Sequence, residues 1–196
     1  MSKTIPRLAG AILAGVLAAG AAHAALVEQD LATPGDGKVT FDTQSGLRWL
    51  DLNLSAPLAI QFENEFTAAG WRVATLAQVQ DLIEHHFGSS ITNGTRIPVA
   101  AATAQSFVDL LGPTFGGEVA WGRFQGSSPA AAGQAIVRHD NGLESYLIAD
   151  NVFGATEPHT FSGIFYVMAQ PVPEPGGLAM MLAGLGLIGA IAGRRR

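Results

Sequence analysis

Residues 38–52, Lys38-Val-Thr-Phe-Asp-Thr-Gln-Ser-Gly-Leu-Arg-Trp-Leu-Asp-Leu52, are the stretch from which the fold reads outward. Residues 38–43 alternate, with Val39 and Phe41 on one face, which predicts a strand. Gln44-Ser45-Gly46 is a turn, and residues 46–52 form a second strand with Leu47 and Trp49 pointing the same way. The unit reads as an antiparallel hairpin at the start of the domain. Upstream, residues 25–34 are a lead-in that ends in the turn cluster Pro34-Gly35-Asp36-Gly37.

Downstream the period changes from two to 3.6. Ser55 is placed as an N-cap with Pro57 in the first turn, predicting a helix over 58–69 that carries Phe62 and Phe66 and closes at Gly70. Thr75 caps a second helix, with Gln78 as its capping-box partner. Its apolar stripe is Leu76, Val79, Leu82, Ile83 and Phe87, and Gly88 ends it. A polar loop runs to Pro98, and an alanine-rich helix over 99–111 stops at Gly112-Pro113. Strands follow over 119–124, 135–139, 143–149 and 161–169, the middle pair flanking Asp140-Asn141-Gly142, a turn suited to positive φ. The connections 126–133 and 150–160 read as mobile small-residue loops. Strands first, then helices, then strands argue an α+β domain with a mostly antiparallel sheet and two or three helices.

Both ends carry signals rather than fold. Lys3 and Arg7 precede an apolar run over 8–19, and Ala22-His23-Ala24 is an A-x-A site that makes Ala25 the first mature residue of a secreted chain. At the other end, Pro173-Glu174-Pro175 is held extended by its two prolines. Residues 176–193 are uncharged and, as a helix, would span roughly 27 Å, the short end of a membrane crossing. Arg194, Arg195 and Arg196 follow, a basic stop that favours the cytoplasmic side. Gly189 and Gly193 have the spacing of a helix-packing pair, in a segment where glycine is simply frequent. This order of parts resembles the PEP-CTERM sorting signal of Gram-negative bacteria. The resemblance implies recognition by an exosortase, a transpeptidase-like membrane protease, and delivery to the cell exterior. The domains are then a signal peptide over 1–24, an exported domain over 25–171, and a sorting signal over 172–196. Implied partners are the Sec machinery, signal peptidase, the exosortase and, transiently, the inner membrane.

Without its terminal signals the chain is strongly acidic. Between Ala25 and Pro173 there are six Lys/Arg (Lys38, Arg48, Arg72, Arg96, Arg123, Arg138) against fifteen Asp/Glu, a net of −9. That balance argues against nucleic acid and anionic lipid as partners. There is no cysteine, so the domain relies on its core, which about 149 residues can supply.

The central domain carries a second resemblance. V-T-F-D-T-x-S-G-L-R-W-L-D-L, followed by G-W-R-V-A-T-x-A-Q-V-Q-D-L, is similar to an exported bacterial domain of the Lcl type. That family implies a relation to C-type-lectin-like and formylglycine-generating-enzyme-like folds, and no activity. Two departures stand out: members usually read proline where Ala74 stands, and often carry cysteines.

No catalytic or metal-binding constellation is readable. His85 and His86 are adjacent, so on a helix they point about 100° apart, unlike an i, i+4 ligand pair. Their place in a last turn is explained by the helix dipole. Asp36, Asp42, Asp51 and Asp150 show no EF-hand spacing, no serine sits in a nucleophile elbow, and Asn93-Gly94-Thr95 reads as a loop turn. Neither a metal nor another cofactor is expected. Trp49 and Trp71 read as core. Trp121, between Ala120-Gly122 and near Arg123, is the candidate for stacking on a sugar ring. Two functional classes stay open: a non-catalytic surface or matrix protein that binds glycan such as exopolysaccharide, and an exported hydrolase of extracellular polymer.

Overall fold

The computed structural model describes residues 26–61, 63–139 and 144–169. The signal peptide, the Asn141-Gly142 turn and the whole sorting tail lie outside the described residues.

The opening hairpin forms as expected. β2 (Val39–Asp42) and β3 (Leu47–Leu50) pair antiparallel, with Thr40 opposite Trp49 and Asp42 opposite Leu47. A further strand, β1 (Leu26–Gln29), pairs with β2 in place of the irregular lead-in. The faces are assigned differently from the simple reading, because both are covered. Trp49 shares the main core with the helices, together with polar Thr40 and Asp42 of the neighbouring strand. Val39 and Leu50 face a second, smaller cluster with Trp71 and Tyr166. The polar pair is tolerated inside because each is bonded. Thr40 Oγ1 donates to the Leu110 carbonyl, and Asp42 accepts from four donors.

Only the end of the predicted helix over 58–69 forms. Leu52–Ser55 is a 3-10 turn, and helix α1 is only Glu65–Ala68. Ser55 is buried and caps nothing. Its hydroxyl accepts from the Ile164 N–H at 2.7 Å and donates to the Leu52 carbonyl at 3.0 Å. Leu58 and Ile60 pack on the second cluster, and Asn64 starts the helix with a capping box to Thr67. Tertiary burial has outweighed the local helical pattern. After β4 (Arg72–Val73), helix α2 (Leu76–Phe87) matches the expectation at both ends: Thr75 and Gln78 form the capping box, and Gly88 closes it at φ 68°. Helix α3 (Ala101–Leu111) ends at Gly112 as read.

The later strands build a second sheet rather than extending the first. β5 (Arg96–Pro98), β6 (Val119–Gln125), β7 (Ala131–Arg138), β8 (Ser145–Gly154) and β9 (Gly163–Ile164) lie in the order β5-β8-β7-β6-β9. The other sheet runs β1-β2-β3-β10-β4, where β10 is Tyr166–Ala169. β7 and β8 pair antiparallel, Arg138 opposite Ser145, as the Asn-Gly signal predicts. They reach well into the segments read as mobile loops, and β5 lies in the segment read as polar loop. The single last strand is in fact two. β9 pairs parallel with β6, and β10 pairs antiparallel with β3 and β4. Phe165 stands at the crossing, where its N–H donates to the Arg123 carbonyl and its carbonyl accepts from Ala74 N–H. The two sheets thus share one chain segment, and α2 and α3 fill the space inside them with Val79, Leu82, Ile83, Phe107, Val108 and Leu111.

Candidate binding groove

Alternation along β6 decides what the second sheet presents to solvent. Ala120 and Phe124 face the helices, so Val119, Trp121 and Arg123 face outward. Register extends that face across the sheet. Trp121 lies opposite Ile136, Ile136 opposite Leu147, and Leu147 opposite Arg96. The adjacent row runs Val119, Arg138, Ser145, Pro98.

One half of this face is covered. The segment between β8 and β9 folds over it, fastened by Arg123, whose guanidinium donates to the carbonyls of Glu157 and Leu58. Arg123 is fully buried, and burial lowers its pKa against the opposing pull of Tyr166 and Glu157. The other half is an open groove of about 300 Å³ lined by Arg96, Phe115, Val119, Trp121, Ile136, Arg138 and Phe161.

Trp121 sits where the covered and open halves meet. Its Nε1 donates to Gln134 Oε1 at 3.1 Å, and its backbone N–H donates to Thr114 Oγ1. The His159 ring lies 4.5 Å from it, and Phe153 lies behind at 6.4 Å. Burial and the nearby charge of Arg123 both lower the His159 pKa, so this ring is neutral near pH 7. Phe115 and Phe161 form the wall in an edge-to-face pair at 5.2 Å. They are 55% and 48% exposed, high values for phenylalanine, and they stand together.

The other tryptophans are structural, as expected. Trp49 is fully buried, edge-on to Phe165. Trp71 is buried, and the Arg48 guanidinium lies 5.8 Å from its ring centre. A shallower groove beside it includes Leu31, Glu65, Phe66 and Met168, but there the indole already has its cation.

Among the described residues no group of three metal-ligating side chains occurs. Asp42, Ser45 and His85 do meet, a contact with no signal in the spacing because 43 residues separate Asp42 from His85. Ser45 Oγ and His85 Nδ1 both lie 2.6 Å from Asp42 Oδ2. Sharing one carboxylate oxygen is a staple between the β2–β3 turn and the end of α2, and it leaves the serine bonded to the acid rather than to the imidazole. Burial alone would raise the Asp42 pKa, but hydrogen bonds from Ser45, His85 and the Gln44 N–H outweigh it and hold it below the usual range. His86 instead donates from Nε2 to the Thr103 carbonyl and packs on Phe87 and Phe107. Asp36 closes its own loop through the N–H groups of Leu31, Ala32 and Thr33.

Asp51 is different. It is nearly buried, and its Oδ1 has no hydrogen-bond partner among the described residues. Burial, then the charges of Glu28 and Asp36, push its pKa up to about 7, against the weaker opposing pull of Lys38. A raised folded-state pKa means that stability falls as pH climbs from about 4 to about 7, where the folded chain keeps a proton the unfolded chain has lost. Asp51→Asn removes that penalty. Relative to the parent, the variant is expected to gain about 2 kcal/mol between pH 4 and pH 8, a value discounted for the water that still reaches the carboxyl. Urea unfolding at the two pH values measures it, and a difference that does not change with pH contradicts the assignment.

Residues 171–196 match the PEP-CTERM protein-sorting motif. The protein therefore carries an export signal read by an exosortase, which passes through a membrane-anchored precursor. No curated protein and no solved structure matches the chain, so the likeness of the central domain to the Lcl type and to C-type-lectin folds finds no support. Among the described residues no helix is long and apolar enough to cross a membrane; the segment 176–193 lies outside them.

Proposed function

We propose that this exosortase substrate is a surface or matrix-associated protein that acts by binding glycan rather than by turnover. The observation that carries this is the groove itself. It is an open aromatic site on a β-sheet, with Trp121 in its floor and half-exposed Phe115 and Phe161 in its wall. Sugar rings present apolar C–H faces that pack on such surfaces, and aromatic side chains supply large contact area with little conformational entropy to lose. The sorting tail supports the setting, since the motif it matches marks the chain for export.

The handling follows the order of parts in the sequence. Signal peptidase cuts after Ala24, residues 176–193 hold the precursor in the inner membrane, Arg194 to Arg196 fix its depth, and the exosortase acts at or near Pro173-Glu174-Pro175.

A glycan screen of the chain, alongside Phe115→Ala and Trp121→Ala, tests the binding role. Phe115 is exposed, so its loss should leave the melting temperature within a degree or two. Each variant is expected to bind about tenfold more weakly, equivalent to about 1.4 kcal/mol. Unchanged glycan affinity in both variants moves the site elsewhere, and clean hydrolysis of a polymer in the same screen replaces the binding role with an enzymatic one.

A further inference from the structure

We infer that the groove selects an acidic glycan, one bearing carboxylate groups, and that Arg96 is its anion contact. This deepens the glycan-binding reading and rests on it.

The first ground is the distribution of scarce positive charge. Six cations serve the exported domain against fifteen acids. Three of the six, Arg96, Arg123 and Arg138, lie on the outer face of one sheet. Arg123 is consumed in holding the covering segment. Arg96 and Arg138 line the open half, and among the described residues its lining includes no carboxylate. In a body of net charge −9, the exposed Arg96 at the end of the groove is the cation this site presents to a ligand.

The second ground is register. Arg96, Leu147, Ile136 and Trp121 form one row across four neighbouring strands. At about 4.8 Å per strand, Arg96 stands roughly 14 Å from Trp121. That is longer than one sugar ring, so the ligand is an oligosaccharide that stacks on Trp121 at one end and brings a charged unit to Arg96 at the other. Between them the floor is aliphatic, through Ile136 and Leu147. Arg96 is exposed and sits on a three-residue edge strand, where a guanidinium can grip a carboxylate through two parallel N–H bonds.

The test uses the full-length chain purified in mild detergent. The probes are oligogalacturonate and the same oligosaccharide with its carboxyls reduced to alcohols, which keeps the shape and removes the charge. The parent chain is expected to prefer the acidic form by about tenfold. Arg96→Gln should erase that preference, lowering affinity for the acidic form about tenfold to the level of the reduced form. Trp121→Ala should weaken both forms alike. Equal binding of both forms by the parent, or a preference that survives in Arg96→Gln, overturns the inference while the glycan-binding reading stands. Failure to bind either form at any accessible concentration overturns both.

Discussion

Gly163→Ala is expected to destabilise the exported domain by about 3 kcal/mol or more, a large share of the stability of an ordinary domain. A Cβ built on Gly163 would lie 1.9 Å from the Leu52 carbonyl oxygen, 2.5 Å from its carbon and 2.8 Å from its Cα. All three are backbone atoms, so no rotamer can swing aside. Leu52 is also held in place, because its carbonyl accepts from buried Ser55, which in turn is bonded to the Ile164 N–H. Gly122, opposite Gly163 on the parallel rung, is also tight, though against side chains: its Cβ would meet the Phe165 ring at 2.3 Å. These two glycines let the 3-10 turn of the first sheet press onto the second. A methyl there pries apart the corner at which the chain passes from one sheet to the other. Gly88→Ala is the control. Nothing lies within 4 Å of its Cβ, and only the left-handed backbone is penalised, by about 1 kcal/mol. Thermal unfolding of the two variants measures the contrast. A Gly163→Ala variant as stable as Gly88→Ala contradicts the packing described.

The second large effect concerns the tail. Changing Pro173 and Glu174 to alanine is expected to block maturation while leaving insertion intact, because the apolar segment and the three arginines are untouched. Uncut precursor should accumulate in the membrane fraction of a host that carries an exosortase, and mature protein should fall at least tenfold outside. Deleting Arg194 to Arg196 should act otherwise, disturbing orientation before recognition. The masses of the chain in membrane and medium distinguish these outcomes. Normal release of the double-alanine chain would reduce Pro173-Glu174-Pro175 to a spacer.

What the sequence made legible was mostly local. Thr75 with Gln78, the stripe from Leu76 to Phe87, and Gly88 specify α2 almost to the residue, since capping and periodicity act within a few positions. The alternation of 38–52 specified a hairpin for the same reason. The failures were non-local. Phe62 and Phe66 at helical spacing suggested a helix whose first half the structure does not form, because Leu58 and Ile60 are claimed by the second cluster. The run 161–169 gave no sign of splitting between two sheets, since the reason lies in Gly122 and Leu52, over forty residues upstream. Of the three tryptophans, Trp121 stands out in the sequence through Gly122 and Arg123 beside it, while the expectation of a sugar ligand rests also on the lectin-like resemblance. Its partners in the groove, Phe115, Phe161 and Arg96, are brought to it by sheet register and loop closure, which no single stretch encodes. The Asp42–His85 contact was invisible for the same reason.

The central claim is that ligand enters the Trp121 groove, and the three tryptophans make it directly measurable. Each indole N–H gives one proton–nitrogen signal, and the three stand in different surroundings: Trp49 in the core, Trp71 beneath Arg48, and Trp121 bonded to Gln134. Titrating the ¹⁵N-labelled chain with an acidic oligosaccharide is expected to shift the Trp121 signal progressively to saturation, while the Trp49 and Trp71 signals stay fixed. A saturable shift confined to Trp71, or binding that leaves all three signals in place, would contradict it.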